Sequence, residues 1–201
     1  MAQLYFYHSA MNAGKSTMLL QANHNYQERG MRTLLFLPQM GDRSEKSMIT
    51  SRIGLQAAAY PFDARFNFLR YVEKEKDTST LPIQCILVDE AQFLTKEQVI
   101  QLTRIVDDLH IPILAYGLRT DFRGELFEGS HYLLAWADSL KEVKSVCHCG
   151  KKATRTVRTD EQGNIREKGP QIQIGGNDIY MATCRKHFYS KKVVPFSRTE
   201  Q

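Results

Sequence analysis

The sequence predicts an α/β fold in its first 140 residues: a mainly parallel sheet covered by helices on both faces. Three observations carry this. Short runs that are apolar almost throughout recur at Leu4–Tyr7, Thr33–Leu37, Ile83–Val88 and Ile113–Tyr116. Stretches with helical periodicity lie between them, giving a strand–helix–strand order that suits parallel pairing through crossovers. The composition of the 201 residues, 42% hydrophobic and 24% charged, is that of a globular chain and excludes a disordered or collagen-like one. Strands apolar at nearly every position belong in a sheet buried on both sides.

In chain order, Leu4–Tyr7 is the first strand. Residues 15–29 follow as a helix, with Gly30 placed to stop it. Thr33–Leu37 is the second strand, and the polar stretch Gly41–Ser51 reads as a mobile segment. A helical pattern then runs from Asp63 through Phe66, Leu69 and Val72. After the strand Ile83–Val88, Thr95 is placed to cap a helix whose Val99, Leu102, Ile105, Val106 and Leu109 share one face. Gln98 stands where a capping box needs its reciprocal partner. Ile113–Tyr116 closes the series.

Beyond about residue 141 the character changes. Apolar runs vanish, and glycines, cysteines and basic residues become dense. Residues 1–140 carry 14 basic and 16 acidic side chains, whereas 141–201 carry 13 and 6. We read 1–140 as a nucleotide-binding domain and 141–201 as a small appendage that needs another source of stability than a core.

That source is legible in Cys147-His148-Cys149 and Cys184-Arg-Lys-His187. Two close pairs separated by a long loop are the layout of a structural zinc site, and Cys147, Cys149, Cys184 and His187 supply four ligands. His148, lying between two ligands, has to point away from the metal. Cys85, within an apolar run, reads as a buried thiol. The polar, glycine-rich chain between Cys149 and Cys184 is too long for a simple connector and, with its ends fixed by metal, reads as a lid.

Ser9-Ala10-Met11-Asn12-Ala13-Gly14-Lys15-Ser16-Thr17 follows the first strand and opens the first helix. This is the arrangement of a phosphate-binding loop, with Ser9 where the pattern has its first glycine. Small residues let backbone N–H groups turn toward phosphate oxygens, the Lys neutralises the β- and γ-phosphates, and the Ser hydroxyl meets Mg²⁺. The strand Ile83–Val88 ends in Asp89-Glu90. A strand-end Asp holds Mg²⁺, usually through water, and Glu90 is then available as a general base. Both motifs fall at C-terminal strand ends, where open α/β sheets bind ligands. Phe93, Phe122, Phe127 and Tyr180 are candidates for an apolar pocket around a planar group.

These features together resemble the type II thymidine kinases over essentially the whole chain. The resemblance rests on Met11 in the phosphate loop, Asp89-Glu90-x-Gln92-Phe93, Gly117-Leu118-Arg119-Thr120-Asp121-Phe122, both metal pairs, and Gly175-Gly176-x-x-x-Tyr180. Ser9 is tolerated in some bacterial members. Leu37-Pro38 and His187 depart from many members, and around the acceptor loop only Asp42-Arg43 and Arg52 match.

The resemblance implies transfer of the γ-phosphoryl of ATP to the 5′-hydroxyl of deoxythymidine. On it, Glu90 accepts the proton, while Ser9–Thr17, Asp89 and Gln92 bind ATP and Mg²⁺. Met11, Phe93, Leu118, Phe122, Phe127 and Tyr180 enclose the thymine, and Ile172, Gln173, Ile174 and Gly175 read its edge from a zinc-anchored lid, the lasso. Arg52 or Arg119 neutralises the transferring phosphoryl. A homotetramer and feedback inhibition by dTTP are implied in the same way.

A nucleic-acid-dependent NTPase is disfavoured by length, because a motor usually needs two such lobes and this chain supplies one. The basic C-terminal charge mostly keeps a coreless segment soluble, so no nucleic-acid partner is expected. No window holds 18 consecutive apolar residues, and Met1–Tyr7 lacks the basic flank of a leader. The expectation is a cytoplasmic protein without a membrane partner, its four cysteines reduced or metal-bound.

Overall fold

A computed structural model describes residues 1–39, 47–160, 165–169, 171 and 180–191. Its chain falls into two units. The first comprises Met1–His8, Gly14–Arg119 and Leu126–Val143; the second comprises Ser9–Ala13, Thr120–Glu125 and the chain from Lys144 onward.

In the first unit the elements run β1 (Leu4–Ser9), α1 (Lys15–Gln27), β2 (Arg32–Pro38), β3 (Ser47–Thr50), β4 (Gln56–Phe62), α2 (Phe68–Thr78), β5 (Ile83–Val88), a 3-10 turn (Ala91–Phe93), α3 (Lys96–Leu109), β6 (Ile113–Leu118), α4 (Glu128–Trp136) and β7 (Ser139–Glu142). The seven strands lie in the order β3-β4-β2-β5-β6-β1-β7. β2 pairs in parallel with β4 and β5, β5 with β6, and β1 with β7, while β3 is an antiparallel edge.

The alternation of strand side chains explains the unbroken apolar runs. Leu34, Phe36, Ile86, Val88, Ile113 and Ala115 enter one core with Phe68 and Val72 of α2, Val99 and Leu102 of α3 and Leu133 of α4. Leu35, Cys85, Leu87 and Tyr116 enter the opposite core with Leu19 and Leu20 of α1. On the central strands β2, β5 and β6 most residues therefore have a dry face to fill, whichever way they point, Gln84 being exposed.

The capping box of α3 is present as the sequence dictates, with Thr95 accepting from the Gln98 amide and Gln98 accepting from the Thr95 amide. Three expectations are corrected. The third helix begins at Phe68 rather than Asp63, because the Asn67 side chain caps it by accepting from Arg70 N–H at 2.9 Å. Asp63 instead closes a turn with Arg65 and Phe66. The first helix ends at Gln27, two residues short, before Gly30 at φ 69°. Within the polar Gly41–Ser51 stretch, Ser47–Thr50 forms the edge strand β3, where buried Ile49 faces the α1 core. Among the described residues no helix is long and apolar enough to cross a membrane.

Among the described residues of the second unit, the apolar interior is small. Two short antiparallel pairs, β8 (Ser145–Val146) with β9 (Lys152–Ala153) and β10 (Arg155–Arg158) with β11 (Tyr180–Thr183), precede α5 (Arg185–Ser190). Its core cluster is Cys147, Ala153 and Cys184, with Ala182 packed against them.

Candidate active site

Parallel strands deliver their C-terminal ends to one edge of the sheet, and Asp89 directly follows β5 there. This carboxylate is buried, only 2% exposed. It accepts the Ser16 hydroxyl at 2.8 Å through Oδ2 and the Glu90 amide at 3.0 Å through Oδ1. Ser16 lies in the first turn of α1, whose N-cap is Gly14 at φ 85°. Lys15 beside it is buried too.

The electrostatics follow from burial. Desolvation, then the neighbouring charge of Glu90, pushes the Asp89 carboxyl up to about 6; Ser16, the Glu90 amide and Lys15 oppose the rise. Burial lowers the pKa of the Lys15 ammonium, against the pull of Glu90 and Asp89. A dry cation beside two acids at a helix N-terminus is suited to receive phosphate and a divalent ion together.

Glu90 stands outside the strand, in left-handed backbone at φ 49°. Its Oε2 accepts the Gln92 side-chain amide at 2.5 Å, and Gln92 Oε1 in turn accepts Leu118 N–H at 2.9 Å. Phe93 and Phe127 meet edge to face with centroids 5.8 Å apart. Arg119 follows β6 and is half-buried; Arg52 lies exposed in the turn after β3.

The second unit contains Ser9, Ala10, Met11, Asn12, Ala13, Phe122 and Tyr180. Within it, Ser9 donates its hydroxyl to the Ala10 carbonyl at 2.6 Å, and Met11 N–H donates to Thr156 Oγ1 at 3.0 Å. The Asn12 side chain donates to the Tyr180 carbonyl at 3.1 Å. The Arg158 guanidinium stacks 4.1 Å from the Phe122 ring centroid. Asp121, adjacent to that ring, accepts from Arg123, from the Glu125 amide and from Gln171.

Cys147, Cys149, Cys184 and His187 bring their ligand atoms within 4.8 Å of one another. Cys149 and Cys184 sulfurs are 3.9 Å apart, and His187 Nδ1 is 3.3 Å from Cys147 Sγ and 3.5 Å from Cys184 Sγ. A tetrahedron with zinc–sulfur bonds near 2.3 Å has edges of about 3.8 Å, so the donor set can hold zinc. The local chain explains the convergence. A tight turn closes Cys147 on itself through Gly150 N–H, and Cys184 caps α5 so that His187 comes round one turn later. His148 is outside the four-residue cluster but does not point away as expected: its Nδ1 lies 3.6 Å from Cys147 Sγ and its ring stacks 4.2 Å from that of His187. Cys85 is buried in the sheet, with burial pushing its thiol up to about 12.

Ile172, Gln173, Ile174 and Gly175, like Asp42 and Arg43, lie outside the described residues. Two residues that sequence reasoning passed over shape the site. Gly129 packs so tightly that a Cβ there would stand 2.5 Å from the Ala91 carbonyl and 2.9 Å from that of Gln92. No helix was legible around it in the sequence, so the glycine carried no signal. Thr156, which accepts from the phosphate loop, carried none.

A family model described as thymidine kinase matches residues 2–188. Curated relatives of that name align over 188 residues, 94% of this chain. One from Vibrio vulnificus strain YJ016 is 57% identical over 97% of its own length. One from Yersinia pseudotuberculosis is 56% identical over 95%, and one from Legionella pneumophila strain Lens is 57% identical over 90%.

Proposed function

This chain belongs to the thymidine kinase family and is a kinase, and we propose that it transfers the γ-phosphoryl of ATP to the 5′-hydroxyl of deoxythymidine, giving dTMP. The observation that carries the chemistry is the grouping of Lys15, Ser16, Asp89 and Glu90 at one sheet edge.

The transition state of phosphoryl transfer is loose, so the protein mostly positions groups and neutralises charge. Ser9, Ala10, Met11, Asn12, Ala13, Gly14, Lys15, Ser16 and Thr17 cradle the triphosphate. Ser16 and Asp89 would hold Mg²⁺, which would offset the charge of the β- and γ-phosphates. Glu90 takes the proton from the 5′-hydroxyl, and Arg52 or Arg119 adds positive charge at the transferring group.

We assign the nucleoside to Met11, Phe93, Leu118, Phe122, Phe127 and Tyr180, and its edge to the backbone of Ile172–Gly175. On this reading residues 1–140 chiefly serve the nucleotide, and 141–201 form the lid whose ends zinc fastens. Fastening lowers the ordering cost of closing over substrate, and closure keeps water from competing with the nucleoside. A cytoplasmic homotetramer inhibited by dTTP, without nucleic-acid or membrane partners, completes the proposal.

The test is a panel of nucleosides with MgATP, scored for 5′-monophosphates. Thymidine is expected to be the best acceptor, and single-stranded DNA is expected to leave ATP hydrolysis unchanged. DNA-stimulated hydrolysis without nucleoside phosphorylation overturns the reading.

A further inference from the structure

Glu90 presents a mechanical problem. It lies between the end of β5 and the 3-10 turn, in left-handed backbone, so no regular hydrogen-bond ladder fixes its side chain. Around it stand Lys15 from the start of α1 and Asp89 from its own strand end, one attracting and one repelling its carboxylate. A carboxylate that must meet a hydroxyl within about 3 Å needs something to hold it.

Gln92 is placed to do so. It is 2% exposed, and both ends of its carboxamide are engaged. A backbone N–H can only donate, so the group facing Leu118 N–H at 2.9 Å is the amide oxygen. The group facing Glu90 Oε2 at 2.5 Å is therefore the amide nitrogen, and the orientation of the amide is determined. Leu118 is the last residue of β6, and Ser130 of α4 binds its carbonyl at 2.6 Å, so the far end of the chain of bonds is anchored. Gly117 leaves room for it: a Cβ there would come within 3.0 Å of both the Gln92 amide nitrogen of the backbone and its Oε1.

We propose that Gln92, which the sequence motif groups with ATP and Mg²⁺, is the positioning residue of Glu90: β6 fixes Gln92, and Gln92 fixes the carboxylate by Oε2 so that Oε1 receives the 5′-hydroxyl proton. The inference rests on the reading of Glu90 as proton acceptor. In the step itself the substrate O–H bond breaks, its proton passes to Glu90 Oε1, and the oxygen's electron pair forms the new bond to the γ-phosphorus as the bond to the β,γ-bridging oxygen breaks and ADP leaves with that electron pair. Gln92 keeps its protons throughout.

The experiment is steady-state kinetics with MgATP and thymidine on four variants of the full chain: Glu90→Gln, Gln92→Glu, Gln92→Met, and Glu90→Gln with Gln92→Met. Gln92→Glu keeps the shape and the acceptor for Leu118 N–H but replaces the donor to Glu90. It is expected to lower kcat at least about tenfold while both KM values stay within about threefold and the melting temperature within a few degrees. Because Gln92 acts through Glu90, the double variant is expected to be no more than about threefold slower than Glu90→Gln alone. Multiplication of the two single losses overturns the proposal, as does a raised KM for ATP with kcat kept. Gln92→Glu at wild-type kcat beside an impaired Glu90→Gln overturns the positioning role alone. Glu90→Gln at wild-type kcat removes the proton-acceptor reading itself, and the positioning role with it.

Discussion

The Ser16 hydroxyl donates to Asp89 Oδ2 at 2.8 Å, tying the first turn of α1 to the end of β5 across 73 residues of chain. The bond brings the residue that ends the phosphate loop to the acid that ends the central strand. In the function proposed above, these two side chains would share one cation.

The burial of Asp89 has a pH signature. Its carboxyl titrates near 6 in the fold against 3.8 ordinarily, so between those values the folded state binds more protons than the unfolded one. Stability contributed by this group in metal-free protein then falls as pH rises from about 4 to about 6, by on the order of 2 kcal/mol. Urea unfolding in EDTA, wild type minus Asp89→Asn, measures it. A difference that is flat or rises with pH refutes the assignment.

Replacing Glu90 by Gln keeps size and polarity and removes the proton acceptor. Turnover is expected to drop roughly 10²–10⁴-fold with ATP affinity largely kept. Rapid-quench kinetics and equilibrium nucleotide binding separate the two effects. Equal losses in both would make Glu90 a binding residue.

Purified protein is expected to contain about one zinc per chain, lost on Cys184→Ser together with protease resistance between residues 144 and 191. Elemental analysis and limited digestion report these. Wild-type protein that is metal-free yet protease-resistant would show that the Cys₃His cluster needs no ion to hold its shape.

Gly129→Ala forces a methyl group against three backbone carbonyls, those of Ala91, Leu94 and Gln92, none of which is the tip of a flexible side chain. The expected cost is about 2 kcal/mol or more, with kcat reduced because the turn carrying Glu90 and Gln92 must shift. Thermal melting and turnover check it; a variant with wild-type values would mean that α4 yields easily.

What could be read in advance depended on how local the cause was. The strand Ile83–Val88 and the Thr95–Gln98 box are specified by adjacent residues, so their boundaries were legible to the residue. β3 and β4 were not. β4 reads Gln-Ala-Ala-Ala-Tyr-Pro-Phe, whose alanines and proline carry no strand signal, and its place is set by parallel pairing with distant β2. α4 escaped for a similar reason, since Gly129 and Ser130 are weak helix formers that earn their positions by contact with the Ala91–Phe93 turn and Leu118. Lys15, Ser16, Asp89 and the four side chains of the Cys₃His cluster sit in short motifs whose spacing is itself the signal. Thr156 accepts from the Met11 amide and the Leu118 amide donates to Gln92, each from far along the chain, and a lone threonine or a backbone group leaves no trace in composition.

The second unit is sewn from three separate stretches, and this bears on how such a protein can be dissected or recombined. A gene fragment opening at Lys144 would encode the Thr156 hydroxyl without the Met11 amide that it accepts, and the Tyr180 carbonyl without the Asn12 side chain. It would also leave Arg158 facing no Phe122. The part with the Cys₃His cluster is consequently not a transplantable cassette. Grafted onto another scaffold it would arrive with its seams open, and a chimera joined at 143/144 between distant relatives would inherit mismatched partners on both sides of the join.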